Sequence, residues 1–255
     1  MTIIRQIAKN LLRKKGFGVY QIGSNEFINF ENYLSTLLKI DGFVKYLQVG
    51  THDGVMVDPM YGFVAEKWKS IQGLLLEPIP SSFDKLQKNY SKYPSILPVN
   101  VAIHNTNTVM EMFTVNEKKA HRYPEHVSGM SSFSKENLTL IGHVIEEDIM
   151  SVQVQCKTVE SILRQYELID INLMIIDTEG YDYDILSELN FGIINPKIVR
   201  FEHGLASYLG SDQKLFELSV RMNSFDYQVV VDNNDAILVK TSFLVNALEK
   251  GSERS

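Results

Sequence analysis

Two rhythms of apolar residues run through this chain. Short, nearly unbroken apolar runs alternate with stretches in which apolar positions return at helical spacing. "KYLQV" from Lys45, "GLLLE" from Gly73, "SILPVNVAI" from Ser95, "INLMIID" from Ile171 and "KIVRFE" from Lys197 predict strands. Between them, "NFENYLSTLLKIDG" predicts a helix ending near Gly42, and "PMYGFVAEKWKS" a helix opened by its proline, as the first turn favours. "PSSFDKLQKNYSKY" predicts a helix whose serines suit the N-cap. "VESILRQYEL" and "YDYDILSELN" complete the helical series, and "VMEMFTV" and "SVQVQCKTV" add two strands. "INLMIID" is apolar almost throughout, as a central parallel strand covered on both faces should be. "FDYQVVVDNNDAILVK" holds two alternating runs around Asp232-Asn233-Asn234-Asp235 and reads as a β-hairpin. Residues from about Glu117 to Asp148 break the rhythm. They are rich in His, Ser, Gly and charge, and read as a loop-rich insertion whose segment "HVSGMSSFS" is suited to fold over a site.

Repeated β-α-β units imply a mostly parallel sheet with helices on both faces and the hairpin at one edge. At 255 residues the chain suits one large α/β domain or two small ones. The expected division is an N-terminal helical arm over residues 1–41 and a main domain over 42–255. The content of 44% hydrophobic and 22% charged residues is that of a soluble globular protein. A net charge of -6 argues against a broad nucleic-acid-binding face, though not against a local basic patch. Cys156 is the single cysteine, so no internal disulfide can form, and a reducing, cytoplasmic setting is the simple expectation. In "VQVQCKTV" it reads as a small buried apolar residue. No apolar run approaches the ~20 residues of a membrane span. "MTIIRQIAKNLLRKKG" is no signal peptide, because Arg5 and Lys9 interrupt its apolar core. It is amphipathic, and an arm packed on the main domain is favoured over a membrane-surface helix because it lacks Trp or Phe anchors.

In a doubly wound sheet ligands bind beyond the carboxyl ends of the strands. The first strand delivers Gly50, Thr51, His52, Asp53 and Gly54, and the second delivers Glu77 and Pro78. Glu77 stands where such folds place an acid on a ribose diol, since a carboxylate accepts from both hydroxyls. Two glycines, an acid and no lysine for phosphate suit a nucleoside ligand without phosphate. S-adenosylmethionine meets those requirements. A dinucleotide-dependent dehydrogenase fits less well, because a third glycine is missing and the chain ends in a hairpin rather than another parallel unit. A binding protein without catalysis is a further alternative, against which the intact Glu77 and Asp177 argue.

"YLQVGTHDG…DP", "LLLEPIPSSFDKLQKNY", "NVAI", "MIIDTEGYDYDIL" and "PKIVRFEH" resemble, in order, the successive motifs of the FkbM-type methyltransferases. The resemblance runs from about Tyr46 to His203, and "DTEGYD" with "DIL" is its most specific piece. It implies a class I methyltransferase (Rossmann-like) fold, a seven-stranded sheet whose last strand is antiparallel. It also implies S-adenosylmethionine as methyl donor, leaving as S-adenosylhomocysteine. Most members with assigned reactions methylate oxygen on sugars or natural products, and nitrogen acceptors also occur. Carried over, Gly50 and Asp53 line the aminoacyl part of the donor and Glu77 holds its ribose. Pro78 and Ile79 lie beside the adenine, Asn100 and Ala102 close that side, and Asp177 faces donor and acceptor. Serines such as Ser131 and Ser132 often lie near the donor in this family, although a plain linker explains them equally. One departure matters. Many class I methyltransferases carry an acid two residues before the first glycine, where this chain has Gln48. An amide still accepts from the donor's ammonium but loses the charge-assisted part, for which Asp53 is the candidate compensation.

For the acceptor, Asp177, Glu179, Glu202 and His203 should converge at the ends of neighbouring strands. Three readings stand side by side. One of Asp177, Glu202 or His203 is a general base; or Asp177, Glu179 and Glu202 hold Mg²⁺ or Mn²⁺; or Glu179 and Glu202 are structural. Metal dependence is the less favoured. His121, His126 and His143 read as surface residues, without metal-ligand spacing. The expected partner is a small-molecule, glycan or peptide acceptor and not nucleic acid, with oligomeric state left open.

Overall fold

The computed structural model describes residues 30–56, 58–203, 211–232 and 234–252. The amphipathic segment expected to form most of the arm lies outside them. Seven strands make the main sheet: β1 (Val44–Val49), β2 (Ile71–Leu76), β3 (Ile96–Val99), β8 (Leu173–Ile176), β9 (Ile198–Glu202), β10 (Tyr227–Asp232) and β11 (Asp235–Lys240). Their spatial order is β10-β11-β9-β8-β1-β2-β3. From β3 to β9 neighbours are parallel, while β11 runs antiparallel to both β9 and β10. This is the class I methyltransferase arrangement, with its reversed strand inserted by the terminal hairpin. The chain builds outward from β1 in one direction through β2 and β3, and in the other through β8 and β9. The switch point therefore falls between β1 and β8, where the crevice for a ligand opens. Register keeps the carboxyl ends level: Val49 pairs with both Leu76 and Ile176, and Ile176 with Phe201.

The period-two pattern of the strands splits the core. Leu47, Val49, Met174, Ile176, Val199 and Phe201 face helices α6 (Val159–Gln165), α7 (Asp182–Glu188) and α8 (Ser211–Asn223). Val44, Tyr46, Leu173, Ile175 and Ile198 face α1 (Phe30–Asp41), α2 (Tyr61–Lys67), α3 (Pro80–Tyr90) and α9 (Thr241–Ser252). Two helix starts differ from expectation. Asp58 accepts from the amides of Met60 and Tyr61, so α2 begins after Pro59 rather than with it. Helix α3 has Ile79 at the N-cap and Pro80 in its first turn, and its serines do not cap it, because proline's fixed φ already starts the helix.

The run "SILPVNVAI" is not one strand. It breaks at Asn100, whose amide donates to the carbonyls of Glu77 (2.8 Å) and Pro78 (3.0 Å) and so ends the pairing with β2. The chain then enters a second sheet of order β4-β7-β5-β6: β4 (Ala102–Ile103), β7 (Ile149–Lys157), β5 (Thr108–Val115) and β6 (Ser131–Ser132). Strands β5 and β7 pair antiparallel from Thr108–Cys156 to Val115–Ile149, and Cys156 is buried there as an apolar residue. The insertion between them is more ordered than its composition suggests. It carries α4 (Glu125–Ser128) and α5 (Lys135–Leu140) and a small core of Val115, Val127, Met130, Leu138 and Val144. Buried Asp148 pins it by accepting from Arg122 and Tyr123. Among the described residues no helix is long and apolar enough to cross a membrane.

At the amino ends of the strands Asn172 ties three elements together. Its Oδ1 accepts from the Lys45 amide, and its Nδ2 donates to Asp41 and to the Phe43 carbonyl, each at 2.9 Å. Asn172→Ala leaves these groups unmatched in a part-buried position and should cost about 2 kcal/mol. In a domain of this size that is a fall in Tm of roughly 4–8 °C. Because this end is remote from the crevice, ligand affinity should not change; calorimetric melts and binding titrations of both proteins check the pair of outcomes.

Candidate active site

The turn after β1 is shaped by backbone constraints. Gly50 has φ +76°, and a Cβ there would overlap the Asp177 carbonyl oxygen, so only glycine lets β8 lie against the turn. The amides of Gly50 and Thr51 both donate to Leu76 O, at 3.0 and 3.2 Å. His52 takes a left-handed conformation, φ +48°, held by its amide donating to Glu77 Oε2 at 2.8 Å. The Ile79 amide donates to Glu77 Oε1, also at 2.8 Å. Glu77 is thus buried with one amide on each oxygen and a lone pair left on each. Burial outweighs the two amides and pushes its carboxyl up to about 8.

Beyond this turn lies a cleft of about 640 Å³, continuous with solvent. Eight of the residues named from sequence line it: Gly50, His52, Glu77, Pro78, Ala102, Ser131, Asp177 and Glu179. Ile103, Met112 and Phe133 extend the apolar wall, giving a slot beside Glu77. Ile79 packs behind it against Ala102 and Met112. Asn100 acts on the Glu77 and Pro78 carbonyls. Asp53 does not line the cleft; its Oδ1 accepts from the Val55 and Met56 amides, both at 2.9 Å, which fixes the turn. Gln48 is buried below, its Nε2 donating to Asp58 Oδ2 at 3.0 Å.

The insertion closes one side. Gly129 sits so close to the His52 ring that a Cβ would press on it at 2.6 Å. Ser131 lines the cleft, whereas Ser132 points inward and its Oγ accepts from Asn137 Nδ2 at 3.1 Å. The same Nδ2 donates to the Glu179 carbonyl, again at 3.1 Å, and so ties the insertion to the turn after β8. No sequence signal marks Asn137. Phe133 meets Tyr181 edge-on, with ring centroids 5.3 Å apart, and His104 stacks on Tyr181 at 6.0 Å.

Three carboxyl side chains gather at the ends of β8 and β9. Asp177 opens onto the cleft; burial by its surroundings and the nearby Asp182 raise its carboxyl to about 7, while Arg200 opposes the shift. Burial and Asp177 raise Glu179 to about 8, and burial with Asp177 and Glu179 raises Glu202 to about 9. Glu179 also has φ +52°, a strained conformation for a non-glycine residue at this position. Asp182, which sequence reasoning left unassigned within "DTEGYD", organises the group. It is buried and accepts from Thr178 N (3.2 Å), Thr178 Oγ1 (2.7 Å) and Glu202 N (3.1 Å), locking the two strand ends together. The His203 amide donates to Asn234 O, and its ring nitrogens have no partner among the described residues. His121, His126 and His143 are exposed. Among the described residues no group of three or more His, Cys, Asp or Glu side chains is arranged to hold a metal ion.

The raised carboxyls carry a stability consequence. Above a pH near 4.5 the unfolded chain releases a proton that folded Glu202 keeps until about 9. Stability on this account is full below that range and falls as pH rises through it. Glu202→Gln should flatten the decline. Thermal melts of both proteins at pH 5, 7 and 9, values spanning that range, give the comparison; parallel slopes would remove Glu202 from the account.

A family model described as the methyltransferase FkbM domain matches residues 48–229. No curated protein matches the chain significantly. Among solved structures, the chain is similar to an O-methyltransferase from Bacillus cereus in complex with SAH, at 9% identity over 92% of this chain and 90% of that one, TM-score 0.44. A methyltransferase from Geobacter sulfurreducens gives 10% identity over 93% and 89%, TM-score 0.41. The fibrillarin pre-rRNA processing protein of Methanococcus jannaschii gives 8% identity over 77% of this chain and 65% of that one, TM-score 0.40. The family match starts within β1 at Gln48, ends within β10 and takes in every residue that lines the cleft. The chain belongs to the FkbM family of S-adenosylmethionine-dependent methyltransferases.

Proposed function

We propose that this methyltransferase acts on a hydroxyl oxygen of a saccharide or a secondary metabolite. The observation that carries the reading is Asp177, open to the cleft with its carboxyl raised to about 7. A general base works best when its pKa lies near the working pH, and such a base contributes ~10²–10⁴-fold. Glu77 is assigned the donor's ribose, and Pro78, Ala102, Met112 and Phe133 its adenine. When bound, the donor supplies an electrophilic methyl group on a sulfonium. Asp177 accepts the acceptor's proton as the oxygen–carbon bond forms and the sulfonium–carbon bond breaks, and Glu179, which also lines the cleft, orients a neighbouring hydroxyl. Glu179 is protonated near neutrality, so it can donate as well as accept. Of the three base candidates, Asp177 alone lines the cleft.

An amine acceptor fits this group less well. Ionised Asp177 stabilises an ammonium, and an ammonium has no lone pair with which to attack a methyl group. An amide nitrogen escapes that objection but offers fewer hydroxyl-like donors for Glu179.

Asp177→Asn keeps the shape and removes the proton acceptor. Turnover of a hydroxylated acceptor at saturating donor should fall ~10²-fold or more, while donor affinity stays within a few-fold. Transfer of labelled methyl to glycan, metabolite and peptide pools, with calorimetry of S-adenosylhomocysteine binding alongside, measures both. Near-normal turnover in the variant would leave Asp177 outside the mechanism, and label only in peptide nitrogen would overturn the hydroxyl assignment.

A further inference from the structure

A second cavity, of about 660 Å³ and open to solvent, lies beside the cleft. Its size falls in the range of small-molecule sites, ~300–1,000 Å³. None of the residues assigned to the donor or the base is among those that line it. Ile103 and Tyr181 line both spaces, so the two share a wall. Tyr181 stacks on His104 with the rings within 1° of parallel, and Phe133 meets both edge-on, 5.3 Å from Tyr181 and 5.8 Å from His104. Phe133 faces the cleft and His104 the second cavity, so this aromatic group fixes Tyr181 between them. The chain follows the same route. Asp177, Thr178, Glu179 and Tyr181 line the cleft in turn. A helical turn further on, Asp184, Ile185 and Glu188 of α7 line the second cavity, followed by Leu189 and Asn190.

The lining decides what can bind. Buried Val159, Ile185, Leu189 and Ile194 give it an apolar floor. Asp184 and Glu188 are exposed, four residues apart on one face of α7, and among the described residues neither forms an ion pair. Like charges at this spacing oppose each other, so the helix gains nothing from them. Burial, then Asp184 and Glu188, raise the Tyr181 phenol, which keeps it a donor beside them. Asn190 Oδ1 accepts from the Gly192 amide at 3.0 Å, which leaves its NH₂ group to donate. No lysine or arginine lines the cavity, which argues against an anionic ligand. An inorganic cation would leave the apolar floor uncovered. A sugar ring has an apolar C–H face for that floor and an edge of hydroxyls for the acceptors and donors around it. We propose that the second cavity binds the neighbouring ring of an oligosaccharide acceptor, which passes over Tyr181 from the Asp177 end of the cleft. The inference rests on the saccharide reading of the acceptor and adds its minimum length, two rings.

The test is transfer of labelled methyl from S-adenosylmethionine to a panel of monosaccharide methyl glycosides and to disaccharides that carry the same terminal sugars. Wild type should prefer the disaccharides by ~10-fold or more in kcat/KM, the scale of a charged hydrogen bond. Asp184→Asn combined with Glu188→Gln keeps the shape, removes both charged acceptors and should abolish most of that preference. Affinity for S-adenosylhomocysteine should not change, and Tm should hold or rise because a repelling pair has gone, so a lost preference would not be a folding defect. Glu188→Trp, which fills the cavity, should remove the preference as well. Equal kcat/KM for one ring and two in wild type, or a preference that survives both variants, would overturn the second-ring site and leave the saccharide reading standing. Label that reaches other metabolite or peptide pools but no saccharide would overturn that reading, and this inference with it.

Discussion

The meeting of Gly50 with the Asp177 carbonyl governs the geometry of the whole crevice. Strands β1 and β8 are in register up to Val49 and Ile176, and the Asp177 amide donates to Val49 O at 2.9 Å. One residue further on, any side chain at 50 would strike β8. The absent Cβ lets the turn fold back toward β2, where Gly50 and Thr51 share Leu76 O and His52 reaches Glu77. Glu77 and Asp177 therefore face one cleft from strands on opposite sides of β1. Their placement depends on close backbone packing rather than on any bond between them.

Electrostatics is the cost of that convergence. Asp177, Glu179, Asp182 and Glu202 sit near one another at strand ends, and each raises or is raised by its neighbours. A site selected for stability alone would spread such groups out or pair each with a cation. Here Arg200 tempers Asp177 while bonded to Asp235, and Glu179 and Glu202 have no ion pair among the described residues. Backbone and hydroxyl donors keep Asp182 in place instead. Perturbed acids in a cleft, with strain at Glu179, are the pattern of a functional site that departs from local optima.

Much of the fold was legible because its signals are local. Apolar runs and helical spacing located the parallel strands and most helices, and the alternating tail located the hairpin. Residues fixed by strand ends, Gly50, Glu77, Pro78 and Asp177, were found for the same reason: a strand end is a position that the pattern reveals. What escaped depends on partners distant in sequence. Asn100 reads as part of a strand until its amide is seen capping the two carbonyls just after β2. Ser132 and Asn137 lie five residues apart in a segment without periodicity, and their meeting with Glu179 is set by how the insertion folds. The proline after Asp58 read as the helix opener, and only the folded turn shows Asp58 accepting from the Met60 and Tyr61 amides ahead of α2.

The second sheet explains how an insertion comes to act on a site built by the main one. Asn100 ends β3, and the chain leaves the main sheet at the floor of the slot, with Ala102 and Ile103 already paired to β7. The slot wall thus belongs to both sheets. From there β5 carries β6, which puts Ser131 and Phe133 across the slot from Pro78. Asn137 then couples that wall to the Glu179 turn. Any ligand that moves the wall must work against this bond, and the bond ends on the strained residue beside the candidate base. The insertion's wall and the turn after β8 are therefore mechanically joined through one amide group, although they come from different sheets.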